Sequence, residues 1–213
     1  MKKLLLGLGC VLLIAMPQLA SAAPQAFDFL GQAAIPTSVG GALTMYSTVQ
    51  EGSSTVVPPI PLDFDNYDYT IVVTDLVLDT DGTVQYYSNG TIVLYEDNTT
   101  VADYSDLSTF TDGTAILIGT ISTLTRSVST MPIPPYTTTI SINGTVDWTG
   151  GTRLDDMAPP DQLDWSFLAA GNTDPADVMP GFDEQWDGKV EPKEEIVGTD
   201  DASFGNMKAS FRR

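Results

Sequence analysis

Residues 67–125 read YDYTIVVTDLVLDTDGTVQYYSNGTIVLYEDNTTVADYSDLSTFTDGTAILIGTISTLT, apolar and β-branched runs cut by Asp-Gly, Asn-Gly and Asp-Asn pairs. Runs of this kind, bounded by turn residues, are the pattern of consecutive antiparallel strands. They predict strands over 67–78, which has a continuous apolar middle, and over 83–88, 91–96 and 114–125. Asp79-Thr80-Asp81-Gly82 is read as one turn. Asn89-Gly90 is read as a second, because both central residues of a type I′ hairpin turn need positive φ.

The same pattern extends to both sides. Phe27, Phe29 and Leu30 begin a first strand, and over 41–50 Leu43, Met45 and Ser47 alternate with Thr44, Tyr46 and Thr48. Pro58, Pro59 and Pro61 lack the N–H that a central strand needs, so that segment is a connection. A second proline-rich loop, MPIPP, precedes a long strand over 136–148. From 149 onward Gly, Pro and Asp are more frequent, with short strands at 164–169 and around 186–191, which we read as the closing part of the same domain. The expected fold is all-β: one antiparallel β-sandwich, jelly-roll-like or meander, over 23–192, followed by a mobile tail over 193–213.

Composition adds the setting. The chain opens with Lys2 and Lys3, an apolar run from Leu4 to about Met16, and small residues at Ala20 and Ala22. These are the three parts of a secretory signal peptide over 1–22, with the mature chain expected to start at Ala23. The competing reading, lipid attachment at Cys10, lacks the larger aliphatic residue normally found three positions earlier. Without Cys10 the chain has no cysteine, so its stability rests on packing and hydrogen bonds.

The sequence has 9 basic and 28 acidic residues, a net charge of −19; without Lys2 and Lys3 the balance is seven against 28, or −21. No Lys or Arg lies between Lys3 and Arg126. Such a surface repels nucleic acid and anionic membranes and attracts cations. The chain has no histidine, which excludes Ser-His-Asp catalysis, His-ligated zinc and a histidine pH switch.

Three acidic groups are the candidate sites. Asp63 and Asp65 alternate and, with Asp68 from the adjoining turn, could converge on calcium, a hard cation that takes oxygen ligands. Asp79-Thr80-Asp81-Gly82 copies the opening of an EF-hand loop, but the twelfth position is Gly90 where that loop needs glutamate, so a hairpin turn is the preferred reading. Asp155, Asp156, Asp161 and Asp164 lie near Trp165, as carboxylates and an aromatic do in a glycoside hydrolase or a sugar-binding face. The alternative places Trp148, Trp165 and Trp186 in the core or at its rim.

The strings LYED, ADYSDLSTFTDGTAILIG and PGFDEQWDGKVEP resemble patterns in exported bacterial β-rich proteins of unknown function, many of them in the group with a C-terminal PEP-CTERM sorting tail. The sorting tail itself is not in this sequence. The resemblance implies secretion and a surface or matrix setting, and it implies no activity or site residues. The expected function is therefore a secreted, non-catalytic cell-surface or matrix protein in the periplasm or outside a bacterial cell, with calcium as a possible stabilising ion. Its expected partners are an extracellular polysaccharide or a surface protein, with no nucleic acid and no membrane span. The alternative is a carboxylate-dependent polysaccharide hydrolase or a carbohydrate-binding module. Self-assembly through uncovered, threonine-rich strand edges is a third reading.

Overall fold

The computed structural model describes residues 27–51, 60–130 and 138–193. The expected leader, Pro58 and Pro59, the MPIPP loop and residues 194–213 lie outside them. Eight strands follow in chain order: β1 (Phe27–Ala34), β2 (Ala42–Val49), β3 (Asp68–Thr80), β4 (Val84–Asp97), β5 (Thr114–Thr130), β6 (Thr138–Gly150), β7 (Trp165–Asn172) and β8 (Glu184–Glu191). Each pairs antiparallel with the next, and β1 also pairs with β8, with Phe27 opposite Val190 and Ala33 opposite Glu184. The result is a closed up-and-down barrel.

This corrects the sandwich expected from sequence. A sandwich and a barrel share the same inward–outward alternation, and the pairing of first and last strands distinguishes them here. Closure also removes the uncovered edges on which the self-assembly reading rested.

The hairpin expected at Asn89-Gly90 is corrected as well. Residues 84–97 form one strand, and Asn89 is a kink within it at φ 60°. The partner strand β3 kinks at the same level, where Asp75 also has φ 60°. Asn and Asp tolerate the left-handed region, so the residues that favour a turn also permit a bulge. Gly90 points inward, and the side chain of Leu76 occupies the space a Cβ would need.

Eight strands leave a lumen about wide enough for side chains to fill. Phe27, Phe29, Ile71, Ile92, Leu94, Phe167 and Trp186 are each no more than 1% exposed. Inward glycines make room for the largest groups, Gly119 beneath Trp148 and Gly188 beside Phe29. Most outward positions on β4 to β6, such as Thr91, Thr120, Thr123 and Thr145, are polar. Apolar inside and hydroxyl outside is the reverse of the alternation in a membrane-spanning barrel. Among the described residues, no helix is long and apolar enough to cross a membrane.

The barrel has two rims. The first carries the 60–67 turn, the 98–113 loop and the 151–164 segment; the second carries the 35–41, 81–83 and 173–183 connections. The 98–113 loop lies back along the outer wall, where Phe110 is buried and Tyr104 donates to the carbonyls of Leu30 and Tyr46. Tyr46, Tyr104, Phe110 and Phe182 stack there as a second, smaller apolar cluster.

Candidate functional sites

At the first rim, the expected calcium residues Asp63, Asp65 and Asp68 are all exposed. Asp63 closes its own turn: its carbonyl accepts from the N–H groups of Asn66 and Tyr67, and its carboxylate accepts from Asn66 Nδ2 at 2.8 Å. Asp65 and Asp68 instead line a hollow of about 250 Å³ with Asp97, Asn98, Thr99 and Thr100. Strand pairing brings Asp97 there, since it sits opposite Asp68. Partial burial pushes Asp97 upward, but hydrogen bonds from the Thr99 hydroxyl and from the Thr99 and Thr100 N–H groups outweigh it and hold the carboxyl below its usual range. Among the described residues, no three acidic side chains converge as a metal-holding group.

A solvated acidic rim responds to ionic strength more than to the identity of the ion. Calcium and magnesium at matched ionic strength are therefore expected to raise the melting temperature equally. An additional calcium-specific rise of several degrees in differential scanning calorimetry, reversed by a chelator, would instead assign an ion to Asp65, Asp68 and Asp97.

Behind this rim the Tyr69 hydroxyl donates to Glu96 at 2.9 Å and accepts from the Asp63 N–H. Arg153 reaches Asp156 at 2.9 Å, the Pro61 carbonyl at 3.0 Å and Glu96 at 3.9 Å, tying three segments together.

The carboxylates expected beside Trp165 are exposed: Asp155, Asp156 and Asp161 on two 3₁₀ turns, and Asp164 at φ 60°. Asp156 pairs with Arg153 and Asp164 with Lys193. Trp165 turns away from them into the barrel, 1% exposed and stacked on Phe27 at 5.5 Å, with only its Nε1–H reaching back to the Asp161 carbonyl. Trp148 and Trp186 are also buried, so none of the three tryptophans offers an open platform for a sugar ring. Trp148 stands edge-on to Trp165 at 5.7 Å and 86°, and its buried Nε1–H has no hydrogen-bond acceptor among the described residues.

The most elaborate polar constellation was not expected from sequence. Near the second rim Arg126 points into the barrel, its side chain 11% exposed, and forms an ion pair with Glu184, whose side chain is 2% exposed. Arg126 Nη1 donates to Gln85 Oε1 at 2.8 Å, and the Tyr87 hydroxyl donates to the same oxygen. Trp186 Nε1 donates to Glu184 at 2.8 Å, and Gln85 Nε2 donates to Asp81 at the rim. Gly171 is inward beside Glu184, and a Cβ there would lie 3.2 Å from the carboxylate. The donors and acceptors of this network satisfy one another, which makes it a brace between β4, β5 and β8.

Two buried tyrosines, Tyr69 and Tyr87, and the half-buried Tyr104 record the packing of the barrel. Burial pushes Tyr87 up to about 12 against the opposing charge of Arg126, with Glu184 and Asp81 adding to the rise. Burial likewise raises Tyr104 and Tyr69 to about 12; at Tyr69 the Asp63 N–H opposes the rise and Glu96 adds to it. A proton held more tightly in the folded chain stabilises it fully below pH 10, and that contribution is lost as pH rises through about 12. A titration followed at 295 nm is expected to show part of the tyrosine absorbance change delayed until about pH 12, together with unfolding. Ionisation of all eight tyrosines in one step near pH 10 would contradict the packing.

On the outer wall, Asp28, Asp187 and Lys189 border a shallow hollow over β6 to β8. Burial raises the Asp28 carboxyl, the Asp187 charge adds to the rise, and Lys189 opposes it. Lys189 also pairs with Glu191 at 2.9 Å.

Comparison with protein-family models, with curated proteins and with solved structures gave no match.

Proposed function

We propose that this protein is an exported, non-catalytic β-barrel of the bacterial cell surface or extracellular matrix, acting through its outer wall. The observation that carries the reading is how the interior is used. Apolar side chains fill the lumen, and the buried charges, Arg126 and Glu184, are bonded to each other and to Gln85, Tyr87 and Trp186. A catalytic carboxylate or base needs access to substrate and a perturbed, accessible titrating group. The carboxylates beside Trp165 that would have served a hydrolase are separated from the aromatic ring meant to hold a sugar. The strongly acidic surface suits a protein kept soluble outside the cell. The leader-like residues 1–22 and the resemblance to exported β-rich proteins point to the same setting.

The test is to express the full sequence in a bacterial host and fractionate the cells. Recovery outside the cytoplasm with an N-terminus at Ala23, and no release of reducing ends from polysaccharides, is the expected result. Retention of an unprocessed chain in the cytoplasm would refute the export, and sustained polysaccharide hydrolysis would refute the non-catalytic reading.

A further inference from the structure

The outward side chains of β4 to β7 stand in cross-strand rows. Ser88 lies opposite Thr123, Thr123 opposite Thr145, and Thr145 opposite Ser166, a row of four hydroxyls across four strands. The next row toward the second rim runs Tyr86, Thr125, Asn143 and Leu168, again without charge. Charged side chains begin only at the margins, at Asp147 opposite Thr120 and at Asp187 and Lys189 on β8. Four of the eight strands thus present an uncharged wall in a chain of net charge −19. Tyr86 is 50% exposed on this wall.

We propose that this wall is the contact surface for a second copy of the chain, arranged about a two-fold axis running along the β5–β6 seam. Three features on the wall favour that occupant. Two copies of so acidic a molecule repel each other, and a neutral face brings them together with the least repulsion. A two-fold interface must be complementary to itself, and hydroxyls satisfy this because each both donates and accepts. The seam axis also places β4 of one copy over β7 of the other. Tyr86 then meets the partner at the level of Leu168, at the uncharged side of the hollow of about 390 Å³ whose far side carries Asp28, Asp187 and Lys189. Four strands about 4.8 Å apart, over about eight residues of about 3.4 Å rise, cover roughly 400 Å², about half of the roughly 800 Å² per partner of a standard interface and enough for a weak, concentration-dependent dimer. The inference rests on this wall and not on where the protein works.

Sedimentation velocity tests it on the processed product of the full-length gene, in low and in moderate salt. A dimer that tightens as salt rises is expected, because salt screens the repulsion of the acidic surfaces. Thr123→Glu should weaken it at least tenfold, by placing like charges on both sides of the axis, and Tyr86→Ala should weaken it by removing the ring from the hollow. Thermal melts matched to wild type establish that both variants fold. As a second measurement, Thr123→Cys in a Cys10→Ser background should be joined across the axis by a short bis-maleimide. A monomer at every concentration and salt would overturn the proposal. So would a dimer indifferent to Thr123→Glu and Tyr86→Ala, which would place the contact elsewhere.

Discussion

Glu184→Ala is expected to lower the melting temperature more than any other change of a charged residue described here. The substitution leaves the Arg126 guanidinium inside the barrel facing Gln85 without its carboxylate, and removes the acceptor of Trp186 Nε1. Breaking a buried ion pair from one side costs about 3–5 kcal/mol, because the remaining charge stays desolvated. At about 2–4 °C per kcal/mol for a domain of this size, the midpoint falls by about 10 °C. Glu184→Gln keeps hydrogen-bonding capacity but loses the charge, and should fall between wild type and alanine. Arg126→Leu combined with Glu184→Leu removes both charges and should recover most of the loss, since apolar groups of similar volume often replace a buried pair at little cost. Calorimetric melts of the four proteins decide the matter. If Glu184→Ala melts with wild type, or the double leucine variant is the least stable of the set, the pair is not the brace described here.

The second large effect concerns the kink in β3 and β4. Leu76 is fully buried, and the three atoms nearest the space a Cβ would take at Gly90 all belong to the Leu76 side chain. Leu76→Ala should cost about 2–5 kcal/mol through lost contacts and a residual cavity. Gly90→Ala should cost about 1–3 kcal/mol by overpacking. The two together should cost at least about 1 kcal/mol less than their sum, because the added methyl enters the space leucine vacates. Denaturant unfolding of the four members of the cycle gives the coupling directly. Strict additivity would mean that Gly90 does not face Leu76, as at the tip of an independent hairpin. The cycle therefore tests the difference between a turn and a bulge at Asn89-Gly90.

That difference shows where the sequence stops being informative. Every strand lies where alternation and flanking turn residues place one, including the short β7 and β8 in the Gly- and Pro-rich part. The turn expected at Asp79–Gly82 forms at 81–83 instead, because β3 runs on to Thr80 opposite Tyr86, and there the Gly82 N–H donates to Asp81 at 2.9 Å. Asn-Gly misleads because positive φ serves a turn and a bulge equally, and which one forms depends on whether the partner strand continues past it. Here β5 and β3 both continue.

The candidate sites divide in the same way. Asp97 joins Asp65 and Asp68 at the first rim through strand register, about thirty residues away in sequence. Trp165 shares its phase with Phe167, and that phase alone predicts that both face inward, away from the acidic loop before them. Arg126 carries a similar signal. It is the first basic residue after Lys3, in phase with inward Leu124, so a buried cation is written into β5. Its acidic partner lies 58 residues further on and cannot be identified from one strand.

By itself the sequence determined the local choices: which residues extend, where positive φ is tolerated, which face of each strand is apolar, and that the surface is acidic. These follow from backbone preferences, period-two burial and charge, all properties of neighbours in the chain. The tertiary structure alone decided that the sheet closes, that Arg126 meets Glu184, and that the hydroxyls of four strands align into one uncharged wall. Each of these depends on register between distant strands. Register is specified by the packing of all strands into one lumen, where Trp148, Trp165 and Trp186 are buried together and Gly119 leaves room for Trp148.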